Sequence, residues 1–335
     1  MKNDHFLMMN RRDFFKTSLT GAAALSTIKP KFLSGQQAAG KTVVAVVKTM
    51  DRAQGVKDVL RLLSFPSPKG KSIFIKPNFN TTDPAPGSTH NDTLRQLILE
   101  MKARGTSRIT LGESSGPPPT NKVMEEKGIP GLAQELGFDI INFEELADDG
   151  WTHFNPPGNH WNEGFSIAKP AAEADYFVST CCLKTHGSGG HFSMSIKLAV
   201  GLTPKAIRRE LHSKRDTDMR KMIAELNLSY KPKIIVMDGV EAFVDGGPSR
   251  GKKVDAGVFI GGTDRVAVDA VGLAILKELG SNQTIMGRKI FEQDQIQRAV
   301  EIGLGISRPD QIELVTPDNA SRDYAEKIKP ILGEG

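Results

Sequence analysis

The densest concentration of chemically capable residues in this 335-residue chain runs Leu183-Lys184-Thr185-His186-Gly187-Ser188-Gly189-Gly190-His191 and continues through Ser193 and Ser195 to Lys197. In extended backbone Lys184 and His186 lie two apart and share one face. The glycines that follow let the chain approach a ligand closely. Two imidazoles can bind a metal or move protons, and Lys184 with Lys197 can neutralise a phosphate or carboxylate.

Three further clusters are candidates to join this segment. Ile75-Lys76-Pro77-Asn78 ends a predicted strand in a lysine and an asparagine, fixed by a proline that locks φ. It is either an anion-binding strand tip or a turn shaped by Asn78 with Lys76 in water. Gly112-Glu113-Ser114-Ser115-Gly116, followed by three prolines, offers backbone amides to a phosphate and Glu113 as acid, base or ligand, or else forms a plain turn. It lacks the lysine of a P-loop and the spacing of a dinucleotide fingerprint. Asp238-Gly239-Val240-Glu241, with Asp245 in the Gly-rich stretch beyond, suits either a hard cation or a turn, at a spacing unlike an EF-hand. The candidate catalytic groups are thus His186, Lys184 and Glu113, and the candidate substrate-binding groups are Lys76, Asn78 and Lys197. Asp238, Glu241 and His191 are candidate ligands for a divalent metal. Asp264 reads as a helix start, and Asp269, five residues later, does not face it.

These groups need a scaffold that brings strand ends together. A Val-rich run over residues 41–49 leads into a helical pattern at 53–63, and the same alternation recurs. Strands are predicted at 72–76, 108–111, 139–143, 176–183, 233–238, 256–260 and 311–316. Helices are predicted at 92–104, 121–136 with a break at 128–130, 194–202, 216–227, 264–279 and 290–302. Residues 239–254 read as a Gly/Pro loop, and 148–165 as a long irregular insertion. The expectation is an α/β fold, a mostly parallel sheet flanked by helices, with the site at the carboxyl ends of the strands.

Composition excludes several classes. At 39% hydrophobic and 25% charged residues the chain is neither disordered nor fibrous. The net charge of +5 is concentrated at the start: residues 1–40 hold six cations against two acids. The remainder is close to neutral and carries no electrostatic footprint for nucleic acid. The start itself, Asn10-Arg11-Arg12-Asp13-Phe14-Phe15-Lys16, an apolar stretch over 19–28 and a polar end at Ala38-Ala39-Gly40, resembles a twin-arginine export leader. The apolar stretch is shorter than the roughly 20 residues needed to span a bilayer. This order predicts a leader at 1–40, one α/β domain at 41–335, the twin-arginine translocase as partner and a periplasmic or otherwise exported location. The two cysteines, Cys181 and Cys182, cannot build a four-cysteine iron–sulfur cluster and read as packing residues.

In order along the chain, several motifs resemble the family called domain of unknown function 362. They are Lys76-Pro77-Asn78, Gly112-Glu113-Ser114-Ser115-Gly116, Leu183-Lys184-Thr185-His186, Lys197, Asp238-Gly239-Val240-Glu241, Gly246-Gly247-Pro248 and the run Gly262-Thr263-Asp264-Arg265-Val266-Ala267-Val268-Asp269. The resemblance covers residues 43–280 and implies a shared site but no reaction. Relatives often include a ferredoxin-like iron–sulfur module, so the resemblance also implies an iron–sulfur redox partner as a candidate. Two functions follow as expectations. One is an enzyme, metal-dependent or built on Lys and His, that acts on a small anionic substrate. The other is an accessory protein that binds a metal or anion without turnover.

Overall fold

The structure, a computed structural model, describes residues 41–334. Its first half alternates strand and helix as the hydrophobic pattern dictates: β1 (Thr42–Lys48), α1 (Arg52–Leu62), β2 (Ser72–Lys76), α2 (Asn91–Ala103), β3 (Arg108–Glu113), α3 (Thr120–Glu126), α4 (Ile129–Leu136) and β4 (Asp139–Asn142). Local chemistry starts the helices. The Asp51 carboxylate accepts from the Gln54 amide at the head of α1, and the His90 ring accepts from the Asp92 amide at the head of α2.

The insertion over 148–165 is more ordered than expected. It contains β5 (Trp151–Phe154), which pairs antiparallel with β6 (Phe165–Ala168) at its far end, and the rings of Phe154 and Phe165 stack at 5.8 Å. The chain continues through α5 (Lys169–Ala172), the wholly buried β7 (Tyr176–His186) and the short β8 (His191–Phe192). Then come α6 (Arg208–Ser213), α7 (Met219–Glu225), β9 (Pro232–Gly246), β10 (Gly251–Gly262), α8 (Arg265–Glu278), α9 (Gln283–Met286), α10 (Asp294–Glu301), β11 (Ile312–Val315) and α11 (Asn319–Gly333).

Eight strands lie in the order β11-β1-β10-β9-β7-β2-β3-β4, with β8 paired to β7. Within that path only β10 runs against its neighbours. The fold is therefore α/β with a large, mostly parallel sheet flanked by helices. Alternation of side chains along the strands separates two cores. Ala45, Ile75, Val178 and Val236 pack under α1 to α4, while Val44, Phe74, Cys181 and Met237 pack under α7, α8, α10 and α11. Both cysteines are buried and free.

Three expectations need correction. Residues 239–254 are mostly not loop: β9 and β10 run on as a long antiparallel hairpin, with register shifts at Lys252/Lys253 and Asp255/Val258. Gly239 sits at the second shift, opposite Val258, whereas Gly246, Gly247 and Gly251 lie at the turn that closes the hairpin. Residues 194–202 form not a full helix but a turn leading into a tight 3-10 helix over Lys197–Leu202. The predicted helix at 216–227 shortens to α7. The predicted leader lies outside the described residues. No helix among the described residues is long and apolar enough to cross a membrane.

Candidate functional site

After β2 the chain turns outward to β3 and β4, and after β7 it turns the other way to β9. The gap between the ends of β2 and β7 is thus the switch point at which open parallel sheets form crevices. A cavity of about 60 Å³ lies there, and its walls include Lys76, Asn78, Glu113, His186, Lys197 and Arg208. Strand ends deliver three of these groups: Ile75 pairs with Leu111, so Lys76 and Glu113 emerge at neighbouring strand ends, while β7 runs on past Ser179, the partner of Lys76, to end at His186; Asn78 follows in the loop after β2.

Lys76 and Glu113 form a buried ion pair, Nζ to Oε1 at 2.5 Å. Lys76 also donates to the Pro77 carbonyl at 2.6 Å. Glu113 is held by two further donors: Oε1 also accepts from the Ser114 amide at 2.9 Å and Oε2 from the Phe79 amide at 2.9 Å. Burial pulls the Lys76 ammonium below the ordinary lysine range, and Glu113 opposes that pull. Gly201 makes the pair sterically feasible. A Cβ there would sit 2.6 Å from Glu113 Oε1 and 2.7 Å from Lys76 Nζ.

His186 is buried, and its Nδ1 meets the Gly187 carbonyl. A carbonyl only accepts, so Nδ1 carries the proton and Nε2 keeps the lone pair. Burial, then the Lys197 charge, push the ring down to about 2, so it is neutral at ordinary pH and accepts rather than donates at Nε2.

Lys197 is 9% exposed and its Nζ has no hydrogen-bond or ion-pair partner among the described residues. Burial and the positive charges of Lys184 and Arg208 push its ammonium down to about 8. Its position is set from below. On α8 the buried Asp269 accepts from the backbone amides of Ser195 at 2.8 Å and Ile196 at 2.9 Å, and Asn227 Nδ2 donates to the Ile196 carbonyl at 2.9 Å. Burial raises the Asp269 carboxyl to about 6.

Arg208, the first residue of α6, was not among the sequence candidates. It is buried and holds the Glu113 loop from outside, donating to the Ser115 carbonyl at 2.5 Å, to the Ser114 carbonyl at 3.0 Å and Oγ at 2.6 Å, and to the Thr203 carbonyl at 2.8 Å. Burial brings it down to about 10. The Arg208-Arg209 pair offered no signal, because two arginines on a short helix read as a solvated face.

Lys184 is fully buried but does not line the cavity. Its Nζ donates to the Gly87 carbonyl at 2.6 Å and the Pro248 carbonyl at 3.2 Å, tying the loop after β2 to the loop after β9. The Asn78 side chain donates through Nδ2 to the same Gly87 carbonyl at 3.1 Å. Lys184 therefore shapes the cavity wall, and its charge lowers the pKa of both His186 and Lys197.

The candidate metal ligands are not brought together. One oxygen of Asp238 accepts from Arg52 Nε at 3.0 Å and Thr93 Oγ1 at 2.6 Å, and the other accepts from the Val240 amide at 3.0 Å. Glu241 pairs with Arg52 and Lys253. His191 lies on β8, its Nδ1 buried without a partner. Among the described residues no group of three or more His, Cys, Asp or Glu is placed to hold a metal ion. The sequence spacing put carboxylates near a strand tip but did not reveal that Arg52 of α1 occupies them.

A family-wide sequence model described as domain of unknown function, DUF362, matches residues 73–274, more than half of the chain. The chain belongs to the DUF362 family. The matched span runs from β2 into α8 and contains every cavity residue named above together with Asp269. This DUF362 chain is also similar to the thylakoid-associated protein sll1697 of Synechocystis sp., 22% identical over 216 residues, 62% of this chain. It spans 64% of the length of that relative. Among solved structures it is similar to the lactate racemase apoprotein of Thermoanaerobacterium thermosaccharolyticum, at 13% identity, with a TM-score of 0.44 and 85% of each chain covered.

Proposed function

We propose that this DUF362 protein binds a small anion at the carboxyl ends of β2 and β7 and acts on it through Lys197, Arg208 and His186. The observation that carries the reading is a charge imbalance. Lys76, Lys197 and Arg208 line the cavity, and the carboxylate beside them, Glu113, is already held by Lys76. A buried ammonium without a partner is unfavourable, and an entering anion relieves that cost.

The volume of about 60 Å³ suits phosphate or a carboxylate of a few carbons, well short of the roughly 300 Å³ of a drug-sized pocket. His186 would accept a proton or hydrogen bond from the ligand or a water at Nε2, and the ligand's negative charge would raise its basicity. Chemistry built on Lys and His fits these residues better than metal-assisted chemistry through Asp238, Glu241 and His191, which are engaged elsewhere or lie apart. Binding without turnover, as an accessory to an iron–sulfur redox partner, is the second reading. The engagement of Glu113 favours it, because a carboxylate already held by three donors is a poor general base.

Calorimetric titration of the full chain with phosphate and with oxalate tests the site. Saturable binding should weaken by about tenfold or more in Lys197→Met. Equal affinity in the variant, or no binding by the wild type, would sink the proposal. Export through the twin-arginine translocase is part of the same reading and rests on Arg11-Arg12 and the apolar stretch after them. Replacing both arginines by lysine should leave the precursor in the cytoplasm; unaltered export would count against that route.

A further inference from the structure

We infer that Lys197 is an imine-forming nucleophile and that the cavity takes a small 2-oxo acid, an inference that rests on the anion-site reading and extends it to a substrate class. The geometry singles out one amine. Lys76 spends its Nζ on Glu113 and the Pro77 carbonyl, and Lys184 spends its own on the Gly87 and Pro248 carbonyls. Lys197, nine-tenths withdrawn from water, has no such acceptor among the described residues. Cations, not carboxylates, dominate its surroundings, so nothing holds its proton in place. With the ammonium pushed down to about 8, neutral solution contains on the order of a hundredfold more free amine at Lys197 than at an ordinary lysine. Asp269 and Asn227 clamp the two residues before it, so the amine is presented from a fixed turn.

The other groups fit the remaining parts of such a substrate. Arg208 Nη1 donates to the Ser115 carbonyl and keeps a second N–H, which can take a carboxylate oxygen. His186 Nε2 can carry the proton that imine formation must move. The free amine adds its lone pair to the keto carbon, the carbon–nitrogen bond forms, and the carbonyl π pair becomes an alkoxide. His186 passes the nitrogen's proton to that oxygen. A second nitrogen proton follows the same route as the carbon–oxygen bond breaks and water leaves. Amine plus ketone gives imine plus one water, with no change in oxidation state.

The test uses the full chain with pyruvate and sodium cyanoborohydride, which reduces an imine to a stable secondary amine, followed by intact mass measurement and peptide mapping. We expect one carboxyethyl group on Lys197, suppressed by excess oxalate and lost from that position in Lys197→Arg. Mapping the wild type keeps the result independent of whether the variant folds. Calorimetric oxalate binding with no adduct on Lys197, or with adducts spread evenly over surface lysines, would overturn the imine role while leaving the anion site standing. Failure of both oxalate binding and labelling would remove the anion site and this inference together.

Discussion

The Asp269 carboxylate sets the position of Lys197 without touching its ammonium: it accepts the backbone amides of Ser195 and Ile196, the two residues before the lysine. Asp269→Ala leaves both buried amides without an acceptor, at about 1–3 kcal/mol for each. Urea unfolding should show that loss, and oxalate affinity should fall with it. Asp269→Asn keeps one acceptor and should fall between. Wild-type stability and affinity in both variants would show that the turn is held by other contacts.

Anion affinity should depend on pH through Lys197. Its ammonium titrates at about 8 in the free protein, and a bound anion raises that value. Affinity should therefore hold on the acid side of 8 and decline, by up to about tenfold per unit, as pH rises through it. Lys197→Arg should push the decline to higher pH. A flat profile across that range in the wild type would contradict the assignment.

His186 should make the fold sensitive to acid. Its folded value of about 2 lies below the ordinary 6.5, so between the two the unfolded chain binds the proton and the folded one does not. Stability is then retained above 6.5 and lost as pH falls, by at most about 1.4 kcal/mol per unit from this group. Urea midpoints of wild type and His186→Asn should diverge on acidification, with the wild type losing more. Parallel curves would mean that the ring protonates freely in the folded state.

Gly201→Ala should break the Lys76–Glu113 pair, since the added methyl meets both Glu113 Oε1 and Lys76 Nζ within 2.7 Å and both are buried. We expect a loss of about 1–3 kcal/mol and weakened oxalate binding. Unchanged thermal unfolding would mean that the backbone yields there more easily than its packing indicates.

Arg52→Met should leave Asp238 buried without its cation. The remaining Thr93 and Val240 bonds offset part of this, so a loss of about 2–4 kcal/mol follows, with little effect on anion affinity because Arg52 does not line the cavity. A large affinity loss at unchanged stability would instead tie the Arg52 cluster to the ligand.

Much of the scaffold was legible because it follows from local periodicity. The strands β2, β3, β4 and β7 and the placement of Lys76, Glu113 and His186 near their ends depend on nothing more distant than the next turn. What was not legible depends on tertiary partners. Strand spacing makes Lys184 and His186 a facing pair, yet only His186 lines the cavity, because the Gly87 and Pro248 carbonyls capture the lysine. Arg208 became a site residue only once the Ser114 and Ser115 carbonyls were in place to receive it. Helical spacing relates Asp269 only to Asp264, whereas its partners lie some seventy residues earlier. The helix α11 carries a readable pattern, an Asp318 cap followed by Ala325, Ile328 and Leu332 on one face, although the predicted elements end at residue 316.

The central claim, that the cavity between β2 and β7 is an anion site, is tested most directly by crystals of the protein soaked in selenate and measured at the selenium edge. The account predicts an anomalous peak within hydrogen-bonding distance of Lys197 Nζ and Arg208, displaced when oxalate is added. A cavity filled only with water, with selenate bound elsewhere on the surface, would contradict it.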